Sequence, residues 1–145
     1  MSCIYGPRQF GFEDQGWVAW FIIATLKNRK ITIYGNGKQV RDLLYVYDLI
    51  RAFDLFVKSK RRCGVYNIGG GPRNTTSLLE FLSLLHKELG KSPKIRFSSW
   101  RTSDQKVYIS DITKINKELR WQPTIDLGLG VKKCIDWAKT VKTIF

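Results

Sequence analysis

Hydrophobic and polar positions change period several times along the chain, and each change marks an element. Ser2 to Tyr5 is a short apolar run closed by the breakers Gly6 and Pro7, the pattern of a buried strand. Gly16 to Leu26 is almost continuously apolar and predicts a buried helix. The β-rich runs Ile31–Tyr34 and Val40–Val46 flank Gly35-Asn36-Gly37, a hairpin or tight-turn signal. From Asp48 the period turns helical: Leu49, Phe53, Phe56 and Val57 fall on one face of a helix that runs to about Lys58. Residues 64–68 read as a strand. Ser77 and Glu80 have capping-box spacing, with Leu78, Leu82, Leu85 and Leu89 on one face behind them and Gly90 as the stop. Lys94–Phe97 and Val107–Ile109 read as short strands. A small helix carries Ile112, Ile115 and Leu119 after Asp111 as cap, and a last helix carries Val131, Cys134, Ile135 and Ala138. The order alternates α and β, with no repeat and no linker.

Composition narrows the class. A chain of 145 residues, 43% hydrophobic with five Trp and eight Phe, can build one packed core. The start lacks the basic segment and long apolar stretch of a signal peptide. The longest apolar run, Trp17 to Ala24, is too short to span a bilayer, so no membrane partner is expected. Cys3, Cys63 and Cys134 are odd in number and widely spaced, which argues against a disulfide framework and points to the reducing cytoplasm. The formal charge of +13 allows two readings, a nucleic-acid binder or a protein that handles an anionic small molecule. The densest basic run, Lys58, Lys60, Arg61 and Arg62, follows the amphipathic stretch, where cations suit a helix C-terminus. No zinc-finger spacing or RNA-recognition signature is present, so nucleic acid is not the expected partner.

Three patterns tempt and fail. Asn67-Ile-Gly-Gly-Gly-Pro-Arg-Asn74 resembles a dinucleotide turn, but Asn74 stands at the third glycine position and Pro72 intrudes. A tight structural turn is the better reading. Tyr34 and Lys38 have Tyr-x-x-x-Lys spacing, but a Gly-Asn-Gly turn separates them. His86, the single histidine, falls late in a helix, where a surface role is commonest, and with no cysteine cluster no metal site is expected. Two stretches carry more chemistry. In Tyr34–Asp42, Arg41 enters a strand after the hairpin, so a rigid element holds a guanidinium suited to phosphate, with Asp42 beside it to orient it or to cap. In Trp100–Tyr108, Arg101, Asp104, Gln105 and Lys106 crowd a loop between two strands; an Asp there can accept ribose hydroxyls while the cations hold a diphosphate. Each stretch has an equally good reading as solvated surface.

The stretches IYGPRQFG, DQGWVAWF, ITIYGNGKQVRDLLYVYD, VYNIGGGPRN, SDQKVYISD and LRWQP occur in this order and cover essentially the whole chain. Together they resemble the carboxy-terminal half of the extended short-chain dehydrogenase/reductases that act on nucleotide sugars, a group of epimerases and 4,6-dehydratases. YGPR and RDxxYVxD are general to the group. RQFG with DQGWVAWF, and WRxxDQ, are narrower and resemble the CDP-sugar 2-epimerases. The resemblance implies an α/β fold: the last strands of the parallel Rossmann-like sheet plus a small mixed α/β nucleotide-sugar-binding subdomain. Residues 1–145 would be one partial domain, lacking the amino-terminal NAD-binding Rossmann half and its catalytic Tyr-x-x-x-Lys helix. NAD is then the cofactor of the full-length family, none is expected on this chain alone, and no catalytic residue lies in it. The implied activity is epimerisation at C2 by transient oxidation. A 4-epimerase or 4,6-dehydratase fragment, or a stand-alone nucleotide-binding module, is the alternative. The implied partner is a nucleotide diphosphate sugar, a CDP-sugar by preference, with a separately encoded NAD-binding half as one way to complete the enzyme.

The resemblance also assigns residues. Cys3 stands where relatives place a polar residue that touches the sugar, and a thiol is a weaker donor. Arg8 and Gln9 begin the loop that follows. Thr32 and Tyr34 match the strand that contacts the base, and Arg41 the diphosphate arginine. Arg101 and Asp104 match diphosphate and ribose ligands. Lys106 replaces the usual Arg, keeping charge but losing the planar fork.

Overall fold

The computed structural model describes residues 3–141, so Ser2 of the expected first strand lies outside the described residues. Strand β1 (Cys3–Tyr5) pairs in parallel with β3 (Val40–Tyr45), setting Cys3 opposite Leu43 and Tyr5 opposite Tyr45. The first half of β3 is flanked by β4 (Thr75–Ser77), antiparallel, and by β6 (Val107–Tyr108), parallel. Strand β2 (Lys30–Tyr34) forms a separate parallel pair with β5 (Lys94–Ser98). Helices α1 (Trp17–Leu26), α2 (Val46–Lys58), α3 (Leu78–Leu89), α4 (Thr113–Leu119) and α5 (Leu127–Thr140) cover these strands.

Successive side chains of a strand point to opposite faces, and β3 uses both. Leu43 joins a core with Phe21, Ile22, Ile31, Ile33, Phe81, Val131 and Ile135. Leu44 joins a second cluster with Ala52, Ile68, Ile115, Leu119 and Trp121. A strand apolar on both faces is the signature of parallel sheets, which are buried on both sides. In the first core Trp17 meets Phe21 and Phe81 edge-on, with centroids 5.3 and 5.0 Å away.

Local signals held where the chain decides them locally. Ser77 accepts from the Glu80 amide while Glu80 accepts from the Ser77 amide, the full capping box, and Gly90 ends α3 at φ +66°. Val131, Cys134, Ile135 and Ala138 are buried along α5, which Asp126 caps by accepting from the Leu129 amide at 2.9 Å. Asp111 accepts from the Thr113 amide at 2.9 Å at the start of α4.

Three expectations are corrected. Gly35 and Gly37 do make a tight turn at φ +81° and +74°, but β2 and β3 form no hairpin and enter different sheets. The turn's polar groups are taken up elsewhere: Gln39 Nε2 donates to the Tyr34 carbonyl, and the Leu79 amide donates to that of Gly37. Residues 64–68 are extended without joining a ladder; side chains fix them, Lys114 Nζ donating to the Val65 carbonyl and Tyr66 Oη to Glu118. Helix α2 starts at Val46, and its inward face is Asp48 and Ala52 rather than Phe53 and Val57, which are 54% and 80% exposed. The buried Asp48 carboxylate accepts from the amides of Thr124 and Ile125 and from the Thr124 hydroxyl, and these bonds set the roll of the helix. An apolar stripe of Tyr47, Ile50, Phe53 and Val57 is left facing outward. No helix among the described residues is long and apolar enough to cross a membrane.

Candidate nucleotide-binding site

A cavity of about 360 Å³ opens where β2, the start of β3 and the loop after β5 meet the front of α1. Its apolar wall is Trp17 and Phe21 from α1 with Leu78 from α3. Thr32 and Tyr34 line it from β2, and Gln39 and Arg41 from the entry to β3. Residues 101–104 close the far side, and Glu13 enters from the loop ahead of α1.

Two guanidiniums sit here. Arg41 Nη2 is 2.7 Å from Asp104 Oδ1, and Nη1 donates to the Val40 carbonyl, so a single posture is held from both ends. Its side chain is 18% exposed, which leaves the charge under-solvated and receptive to an anion. Arg101 stacks its guanidinium 3.9 Å over the Tyr34 ring and pairs with Asp14 at 2.8 Å. The loop bearing it is a tight turn, with the Asp104 amide donating to the Arg101 carbonyl and Ser103 at φ +66°. Trp100 packs over Gly35, where a Cβ would meet the indole at 2.5 Å, so the turn after β2 and the loop after β5 require that glycine.

Of the residues assigned from sequence, Thr32, Tyr34, Arg41, Arg101 and Asp104 meet in this cavity. The other four lie elsewhere. Cys3 is half-buried against the first core and bonded to Trp17; burial pushes its thiol up to about 11 against that opposing bond, which keeps it neutral at pH 7. Arg8, at φ +68°, and Gln9 line a separate recess of about 180 Å³ beside β1. Lys106 borders a neighbouring cavity of about 300 Å³ with Trp100 and Gln39. Glu13 and Gln39 were not singled out from sequence; Gln39 stands only two residues before Arg41, and nothing in a single sequence marks Glu13.

Asp42 turns away from Arg41. Its Oδ2 accepts from the amides of Gly71 and Ser110 at 3.0 and 3.2 Å, and the residue is fully buried. This decides the glycine turn at 69–71. A Cβ on Gly70 would overlap the Leu43 carbonyl oxygen, and one on Gly69 would overlap Asp42 and Ser110. The glycines let two backbones pack, and the Gly71 amide is spent on a carboxylate, so the turn does not fit a dinucleotide pyrophosphate. His86 is exposed beside Ser92, and no metal-ligating cluster exists among the described residues.

Residues 1–69 match the pattern of the NAD dependent epimerase/dehydratase family. That stretch belongs to it. The likeness runs on through the rest of the chain. CDP-paratose 2-epimerase of Salmonella typhi is 40% identical over 97% of this chain and 44% of its own length. A crystal structure of UDP-glucose 4-epimerase from Thermotoga maritima, solved with UDP-glucose, superposes with a TM-score of 0.84 at 32% identity, over 94% of this chain and 43% of that one. UDP-glucuronic acid 4-epimerase from Bacillus cereus, solved with UDP-glucuronic acid and NAD, gives 0.83 at 33% identity, over 94% and 43%. The chain thus has the mixed, partly parallel α/β architecture of the Rossmann-like epimerases and spans under half the length of the relatives it matches.

Proposed function

We propose that this chain is the nucleotide-sugar-binding half of an NAD-dependent nucleotide-sugar epimerase, most like CDP-paratose 2-epimerase. The observation that carries the reading is the convergence of Arg41 and Arg101, from β3 and from the loop after β5, on one cavity walled by Trp17, Phe21 and Tyr34. Paired cations suit a diphosphate, and the aromatic wall suits a flat base. Asp104 is close enough to orient Arg41 and to accept a ribose hydroxyl. By holding the nucleotide, these residues orient the sugar for chemistry done elsewhere.

Residues 1–145 act as a single partial domain in this reading, and the chain alone is inactive and binds no NAD. Its one glycine-rich turn is closed by its own backbone, and its one Tyr-x-x-x-Lys spacing spans a turn. Among the described residues β1 pairs with β3 only, and the stripe on α2 is uncovered; both suit packing against an NAD-binding half, in the same chain or encoded separately. A 4-epimerase or 4,6-dehydratase half is the second reading, favoured by the fold match to UDP-glucose 4-epimerase. The three free cysteines support a cytoplasmic location. Neither membrane nor nucleic acid is a partner.

The test is calorimetry with CDP, UDP and dTDP across a salt series. Saturable binding of a nucleoside diphosphate with a shallow salt dependence is expected, against the steep log–log slope of a phosphate-backbone binder on duplex DNA. Absence of binding by all three nucleotides overturns the reading.

A further inference from the structure

The cavity holds two acceptors with no donor. Glu13 Oε1 and Gln39 Oε1 are both shut off from solvent and make no hydrogen bond. Gln39 is 4% exposed, and its amide orientation is set, because Nε2 donates at 2.7 Å to the Tyr34 carbonyl, which can only accept. Oε1 is therefore the open end. Buried acceptors left unmade are costly, and native proteins rarely leave them so without a ligand or water to fill them. The ligand that fits brings an anion for the two arginines and hydrogen-bond donors for these two oxygens.

The two acceptors differ in charge, and that separates their roles. Gln39 is neutral and stands two residues from Arg41, a place compatible with a neighbouring phosphate or ribose. Glu13 is anionic and would repel a phosphate, so it belongs at the other end of the ligand. It lies four residues before Trp17, on the side of the aromatic wall. The pyrimidine bases differ most at position 4: cytosine presents an amine, a donor, where uracil and thymine present a carbonyl, an acceptor. A carboxylate bonds the first and repels the second.

We propose that Glu13 is a specificity-determining residue that accepts a hydrogen bond from the exocyclic amine of cytosine and so selects cytidine diphosphates over uridine and thymidine diphosphates. Gln39 Oε1 takes a ribose hydroxyl, a donor that all three share. This rests on the reading of the cavity as a nucleoside diphosphate site.

Calorimetry of the chain with CDP, UDP and dTDP tests it, on the wild type and on Glu13→Gln, Glu13→Ala and Gln39→Leu, with folding checked by circular dichroism. The wild type is expected to prefer CDP about tenfold or more. Glu13→Gln should bring the CDP to UDP ratio close to one, because an amide can also donate to a base carbonyl, and Glu13→Ala should lose the CDP preference without that gain. Gln39→Leu should weaken all three nucleotides alike. A CDP to UDP ratio unchanged in folded Glu13→Gln overturns the proposal and leaves the nucleotide site standing. Wild-type protein that binds none of the three overturns both. Variants at Glu13 that fail to fold would make the residue structural and likewise overturn it.

Discussion

Arg41 and Asp104 are 63 residues apart in sequence, and their side chains meet at 2.7 Å. The contact joins the strand that enters the central sheet to the loop that closes the cavity. It also fixes the arginine fork before any ligand arrives, which lowers the ordering cost of binding. Arg41→Ala should therefore weaken CDP by roughly 1.5–3 kcal/mol, the worth of a charge-assisted contact. Arg101→Ala should weaken it as well, with a smaller loss, because Arg101 is 41% exposed. Asp104→Asn, which keeps the shape and removes the charge, should fall between wild type and Arg41→Ala. Calorimetry with CDP decides; wild-type affinity in Arg41→Ala would exclude it as the diphosphate ligand.

Lys106 separates position in sequence from position in space. It follows Asp104 by two residues, yet it borders the neighbouring cavity, across Gln39 from Arg41. Lys106→Ala should cost much less CDP affinity than Arg41→Ala, and Lys106→Arg should change it by less than about twofold, since a planar fork helps only where it reaches the phosphate. A tenfold gain on Lys106→Arg would show that the side chain swings into the site on binding.

Asp48 should govern stability in acid. Burial pushes its carboxyl up, but bonds from Ile125, Thr124 and Arg51 outweigh burial and hold it below the ordinary carboxylate value. A group whose folded pKa is depressed contributes stability above its unfolded pKa, about 3.9 for Asp, and loses it as pH falls through the folded value. Denaturant melts should thus show this contribution intact at pH 6 and declining below about pH 4. Asp48→Asn should cost about 3 kcal/mol at pH 7, because two backbone amides and a hydroxyl lose a charged acceptor. It should also flatten the acid limb of the stability curve.

Gly70→Ala is expected to be among the most damaging single-methyl changes. The added carbon would overlap the Leu43 carbonyl oxygen and stand 2.8 Å from the Asn74 Cβ, and backbone cannot step aside as a side chain can. A loss of about 3 kcal/mol in urea unfolding is expected. Gly90→Ala offers a contrast: nothing lies within 4 Å, so its cost should reflect only the φ of +66°.

Incubated with NAD and a CDP-sugar, this chain by itself should give no change in nicotinamide absorbance and no change in sugar configuration. Turnover by the purified chain would overturn its reading as one half of an enzyme. Recovery on adding an NAD-binding half would confirm it, and Phe53→Glu on the outward stripe of α2 should then block that recovery while leaving CDP binding unchanged, since Phe53 is remote from the nucleotide cavity.

Features that depend on a few adjacent residues were determined by the sequence itself. The capping box at Ser77 and Glu80, the stop at Gly90, the buried line of α5 and the tight turn at Gly35 each require only local geometry and one apolar period. The family motifs likewise placed Thr32, Tyr34, Arg41, Arg101 and Asp104, because each sits at a fixed offset from a strand end. Tertiary structure decided what depends on partners far along the chain. Which sheet β2 joins is settled by β5, some sixty residues on, and not by the turn that precedes β3. The roll of α2 is settled by the amides of residues 124 and 125 acting on Asp48, a buried charge whose bonds outweigh the apolar pull on Phe53 and Val57. Asp42 faces the glycine turn rather than its neighbour Arg41, because adjacent residues of a strand point to opposite sides. Glu13 and Gln39 belong to the site only through an unmade hydrogen bond, and a missing partner is a property of three-dimensional surroundings that no one-dimensional pattern records.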